Sequence, residues 1–278
     1  MRRQSSRQSG LARFLASAAA TAILAAGLGG CQTMADVKGA LTSSKSDLPP
    51  DADPRQAAEL YGERYRANPR DAEAALRYGQ ALRATGQRAQ AVAVLEQASI
   101  AHSTNKALLA AYGRALADNG NFKQAFDVLS RAHSPDNPDW RILSVQGTTL
   151  DQMGRPEEAR RYYASALQIA PEEPSVLSNL GMSYVLSKDL AKAEETLRRA
   201  QATGRADARV RQNLALAVGL QGRFAEAETI VKADLPADEA AANVAYLKQM
   251  LNRKDNPRAA ANAKGGKPPV LALDQPND

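Results

Sequence analysis

The sequence predicts an all-α solenoid of antiparallel helix pairs with a capping helix at each end. Three observations lead there. Alanine recurs at Ala57, Ala91, Ala125, Ala159, Ala193 and Ala227, each 34 residues after the last. Two further ladders share the register: Gly79, Gly113, Gly147, Gly181, Ala215, and Gly86, Gly120, Gly154, Lys188, Gly222. Within a period, small and apolar residues fall at i, i+4 and i+7, as in Ala159, Tyr163 and Ala166, which is one face of a helix. A helix–turn–helix unit of this length cannot bury its apolar face alone and must stack on copies of itself.

The elements follow in order. Asp53 then Pro54 suits an N-cap and first turn, so residues 54–71 hold an N-terminal capping helix that carries Ala57 and Tyr61 and ends near Pro69. Five full units follow: 72–105, 106–139, 140–173, 174–207 and 208–241. In unit 140–173, Gly147 and Leu150 lie on the first helix and Gly154 in the turn; Pro171 ends the second helix. Small residues at the crossing let two backbones approach, and a larger side chain there overpacks the contact by roughly 1–3 kcal/mol. Glycine in the turn closes the first helix with positive φ and no Cβ penalty. Lys188 breaks that ladder, and a slightly different turn is expected there. Pro236 breaks the chain after the last unit. Ala240, Val244, Leu247 and Leu251 then mark a capping helix over 238–253, needed to cover the last apolar face. The polar stretch 254–278 has Pro, Gly, Asn and Lys without periodicity and is expected to be a disordered tail.

The ladders and the Ala–Tyr/Leu–Ala spacing, repeated as Ala91, Leu95, Ala98 and Ala193, Leu197, Ala200, resemble the tetratricopeptide repeat over roughly 200 residues. The resemblance implies a superhelix whose first helices line a concave face that binds extended peptides or helices.

The first thirty residues resemble an address. Arg2, Arg3, Arg7 and Arg13 precede the apolar run 14–28, which is short and Ala-rich for a membrane span. Leu28-Gly29-Gly30-Cys31 resembles the bacterial lipobox, and Cys31 is the only cysteine. That likeness implies a signal peptide over 1–30, cleavage before Cys31 and acylation of its thiol and new amine. Two or more acyl chains hold a membrane firmly. Gln32 in place of Asp favours sorting to the outer membrane by the same analogy. Residues 31–53 form a lipidated cysteine and flexible tether, spanning on the order of 25–30 Å as a coil.

Composition narrows the function. Net charge is +6, but removing the four leader arginines leaves 32 basic against 30 acidic residues. A nucleic-acid role would want a clustered basic face. Export implies an oxidising compartment, yet one cysteine allows no internal disulfide. Aromatics are 5%, so the core is mostly Ala and Leu. His102 and His133 lie near the ends of second helices without a Cys partner and read as inert surface residues. Gly265-Gly266-Lys267 lacks the rest of a phosphate loop, and no nucleophile elbow or zinc spacing occurs. The Glu157-Glu158, Glu172-Glu173 and Glu194-Glu195 pairs suit helix starts better than acid–base work. No enzyme, cofactor or metal is expected.

A groove is what is left. Asn179 and Asn213 are each sixth in their units, where an amide can donate to and accept from a ligand backbone; an amide satisfying its own surroundings is the alternative. Met182, Val185, Leu186 and Leu216, with Leu220, could form an apolar groove for a partner helix, or could pack under the capping helix. Arg77, Gln80, Arg83 and Arg114 would suit an acidic segment, or be solvated charges.

Residues 210–228 read VRQNLALAVGLQGRFAEAE, followed by Ala233-Asp234-Leu235-Pro236 and the helix AAANVAYLKQML. With the lipobox and repeats, this phrase resembles the TadD lipoproteins of the Tad (Flp, type IVc) pilus and adherence machinery. The resemblance implies an outer-membrane lipoprotein on the periplasmic face, acting like a pilotin, with a secretin subunit or other pilus component as partner. A general repeat scaffold for outer-membrane biogenesis or cell-wall enzymes is the alternative. A glycan-binding accessory is weaker, because Trp140 is the only tryptophan.

Overall fold

The structure, a computed structural model, describes residues 53–255. The leader, Cys31, the tether up to residue 52 and the tail beyond 255 lie outside the described residues. Those described form twelve α-helices: α1 (Pro54–Ala67), α2 (Ala72–Ala84), α3 (Arg88–Ala101), α4 (Lys106–Asp118), α5 (Phe122–Ala132), α6 (Trp140–Gln152), α7 (Pro156–Ile169), α8 (Pro174–Leu186), α9 (Leu190–Ala202), α10 (Ala208–Leu220), α11 (Phe224–Val231) and α12 (Ala237–Asp255). The fold is an all-α solenoid of helix pairs. None of these helices is long and apolar enough to cross a membrane.

Each first helix starts under an acceptor side chain 34 residues from the next: Asp71, Asn105, Asp139, Glu173 and Asp207 all accept from first-turn N–H groups. Such caps satisfy donors the helix itself cannot. First helices end in a left-handed residue, with φ of 76° at Gly86, 83° at Gly120, 73° at Gly154 and 83° at Gly222. Lys188 takes φ 62° at the same place. The expectation of a different turn is corrected. The N–H of Asp189 still bonds to the Tyr184 carbonyl at 2.9 Å, as Gln87 does to Leu82 at 2.8 Å. The packing of the pair dictates the turn, and the lysine accepts the strain.

Three-residue turns force α2 and α3, and each later pair, to run antiparallel. At their crossing a Cβ on Gly147 would lie 2.5 Å from the Tyr163 ring, and one on Gly113 or Gly181 2.5 Å from Leu129 or Leu197. In the last unit the facing residue is the smaller Val231, and Ala215 replaces glycine. Ala91, Ala125, Ala159 and Ala193 are fully buried beside these contacts. Tyr163 is also fully buried; its hydroxyl donates to Asp151 Oδ2 at 2.8 Å, and Ser183 donates to Oδ1 at 2.8 Å, joining α6, α7 and α8.

The backbones of first helices also approach one another, α2 to α4, α4 to α6, α6 to α8 and α8 to α10, whereas second helices meet only through longer side chains, as in Phe126–Tyr162 and Arg198–Glu226. The stack therefore curves toward the first-helix face, which is its concave side. Ala240, Val244 and Leu247 of α12 close the far end, with Leu247 against Gly219.

Candidate functional site

One recess of about 270 Å³ opens on the concave face, and every residue lining it belongs to a first helix. All five units contribute. Helix α2 supplies Arg83; α4 supplies Arg114 and Asp118; α6 supplies Trp140, Arg141 and Ser144; α8 supplies Asn179; α10 supplies Arg209. The curvature is what brings them together, since residues 126 positions apart in the chain line one cavity.

The recess is cationic: four arginines face one aspartate. Arg83 Nε bonds Asp118 at 2.6 Å, and this pair is largely enclosed. The Arg141 guanidinium stacks 4.4 Å over the Trp140 ring, and its own N–H caps on Asp139. Arg114 sits between. Its Nε is buried and meets no acceptor. Burial pushes its proton affinity down and Arg83 and Arg141 push the same way, against Asp139 and Asp118. Arginine stays charged regardless, so the recess holds a charged donor whose buried Nε–H meets no acceptor. Among the described residues no group of three His, Cys, Asp or Glu is placed to hold a metal.

Residues 152–217 match the family model described as tetratricopeptide repeat. The helix pairs on either side of that match share its 34-residue period, so the fold is that of a tetratricopeptide-like solenoid. Residues 55–132 match the model of anaphase-promoting complex, cyclosome, subunit 3. Among solved structures, PilW, titled a widely conserved type IV pilus biogenesis factor, aligns with a TM-score of 0.60 at 18% identity, covering 69% of this chain and 90% of that one. PilF of Pseudomonas aeruginosa aligns at 0.51 and 18%, covering 74% and 89%. The Cut9–Hcn1 hetero-tetramer of the APC/C aligns at 0.59 and 15%, covering 71% of this chain and 40% of that one, so the chain spans less than half of that protein. At these identities the likeness is one of fold. No curated protein matches the sequence. Tetratricopeptide solenoids are scaffolds whose concave faces bind other proteins.

Of the residues singled out from the repeats, Arg83, Arg114 and Asn179 line the recess. Asn213 is corrected: it is 7% exposed, and its amide donates to Ser178 Oγ at 3.0 Å. Asn179 makes the same bond to Ser144, at 3.0 Å. The two sixth-position amides thus tie α8 to α6 and α10 to α8. Arg77 and Gln80 are exposed on α2, outside the recess, and Arg77 pairs with Glu73 at 2.7 Å. Met182, Val185, Leu186 and Leu216 do not line the recess either. They occupy the ninth, twelfth and thirteenth positions, the register of Arg114, Arg83 and Asp118, and continue the face beyond the cavity. Leu186 is 55% exposed there, while Val185 packs partly on the α10–α12 core. The histidines are not inert: His102 Nε2 meets the Arg70 carbonyl at 2.8 Å and His133 Nε2 meets Gln146 at 3.1 Å, fastening neighbouring units.

Asp118, Trp140, Arg141, Ser144 and Arg209 are among the recess residues that sequence reasoning missed. For the two arginines the signal is position: Arg141 and Arg209 are both second in their 34-residue units, beside the cap, where a side chain leans over the concave face.

Proposed function

We propose that the protein is an outer-membrane lipoprotein, anchored through Cys31 on the periplasmic face, whose concave recess captures a segment of a secretin subunit or another component of a Tad/Flp pilus, as a pilotin-like assembly factor. The observation that carries the capture is the single recess built by the first helices of all five units. Its cationic end at α2–α6 and the apolar register positions on α8 and α10 suit a partner segment that is acidic along one part and apolar along another. Holding such a segment at the membrane raises its effective concentration and covers its apolar surface until assembly closes over it. The lipobox-like leader and the TadD-like last third support the location and the system. The fold of PilW, a type IV pilus biogenesis factor, is in keeping with it.

The test is a pull-down of the tagged, detergent-solubilised lipoprotein from its own envelope, with captured proteins identified by mass spectrometry. A secretin or pilus component is the expected catch. Recovery of outer-membrane biogenesis or cell-wall factors in its place would transfer the same fold to the general-scaffold alternative.

A further inference from the structure

We infer that the recess is a receptor for an internal acidic side chain, an Asp or Glu within a continuous segment, with Arg114 as its anchor. This rests on the capture reading above and specifies its ligand. The Arg114 Nε–H is buried without an acceptor, and the two carboxylates near it are already engaged, Asp118 by Arg83 and Asp139 as the cap of α6. A buried guanidinium N–H left unpaired is costly, and a carboxylate is the acceptor that meets both its charge and its planar fork. Nothing else in the recess supplies one. Asp118, the only carboxylate lining it, is engaged by Arg83 at 2.6 Å. Beside Arg114, the Trp140 ring with Arg141 stacked on it forms a flat wall for the aliphatic part of a glutamate and its neighbours.

An internal position is favoured over a chain end by the layout. The recess is lined from α2 on one side to α10 on the other, with Arg114 on α4. A segment that places a carboxylate on Arg114 passes over further first helices on both sides. The face continues toward α10 through Met182 and Leu216, which share the register of Arg114, and toward α2 through Arg83, so the chain has a surface to follow on both sides.

Trp140 is the only tryptophan and lies in the recess, so its emission reports binding. The experiment titrates the full-length protein in detergent with three peptides of about ten residues. One is capped at both ends with two adjacent central glutamates, one is its glutamine counterpart, and one has its only carboxylate at a free C-terminus. The expected result is a saturable change with the glutamate peptide and roughly tenfold weaker binding of the other two, as loss of a charge-assisted hydrogen bond implies. Arg114→Gln should reduce the glutamate peptide to the glutamine peptide's level. Its thermal midpoint is measured alongside to show that it folds. Equal binding of the capped pair, preference for the free C-terminus, or an unaffected folded Arg114→Gln protein overturns the anchor. Envelope capture separates the two readings: wild-type capture by Arg114→Gln removes the anchor and leaves tethered capture standing, whereas a positive titration with no envelope partner removes tethered capture alone.

Discussion

Lys188 holds φ 62° where the corresponding turns at Gly86, Gly120, Gly154 and Gly222 use glycine. A residue with a Cβ in that region pays about 1–2 kcal/mol, of which glycine's greater unfolded-state freedom returns part. Lys188→Gly is therefore expected to stabilise the protein by about 0.5–1 kcal/mol, read as a higher midpoint in chemical denaturation; an unchanged or lower midpoint would show that Lys188 earns its place through its side chain. Glu194 makes a second case at this scale. Burial pushes its carboxyl up, but bonds from Arg198 at 2.7 Å, Gln221 at 2.8 Å and Arg223 at 2.7 Å outweigh that and hold it down at about 2. Since the folded value lies below the ordinary 4.5, its contribution is present above pH 4.5 and lost as pH falls toward 2. Glu194→Gln should cost about 1–2 kcal/mol at neutral pH and flatten the acid limb of stability in that window. An acid limb as steep as the wild type's would count against the network.

Between helices, the crossing residue governs how closely a pair can pack. Gly147 faces Tyr163 with no room for a methyl group, because the ring fills the space and its hydroxyl is held by Asp151. Gly147→Ala should destabilise the protein by roughly 1–3 kcal/mol, measured by thermal unfolding, and Gly147→Ala with Tyr163→Leu should not recover it, since Leu95, Leu129 and Leu197 crowd their glycines equally. A change under about 0.5 kcal/mol would mean that the pair can shift apart freely. The capping ladder Asp71, Asn105, Asp139, Glu173, Asp207 belongs to this scale too. Its 34-residue spacing was open to view in the sequence, yet the apolar and small-residue ladders are what define the units, so the caps add boundaries rather than fold.

For the whole molecule, stability is a sum over neighbours. Truncation before Ala237 removes α12 and uncovers the surface it shares with α10 and α11, including Ala227 and Val231. Hydrogen exchange should quicken in α9–α11 and stay unchanged in α2–α5, whose core forms a separate cluster; uniform loss of protection would show that the solenoid unfolds as one. On the proposed anchoring, Cys31→Ser in an exportable form should move the protein from the outer-membrane fraction to the soluble periplasm and impair pilus assembly. Normal assembly without the cysteine would sink the tether.

By itself the sequence determined the repeat period, the helix pairs, the glycine turns and the closing helix, because those depend on contacts a few residues to one unit apart; the Lys188 turn it read wrongly. It also pointed to Arg83, Arg114 and Asn179 as concave-face residues, since helical register alone puts them there. Only the tertiary structure decided which of those side chains meet. Asn213 turned out to serve the joint between units, because Ser178 lies within reach of its amide. Trp140, Arg141 and Arg209 joined the recess because the backbones of the first helices approach more closely than those of the second helices, and curvature is a property of the stack that no single unit encodes.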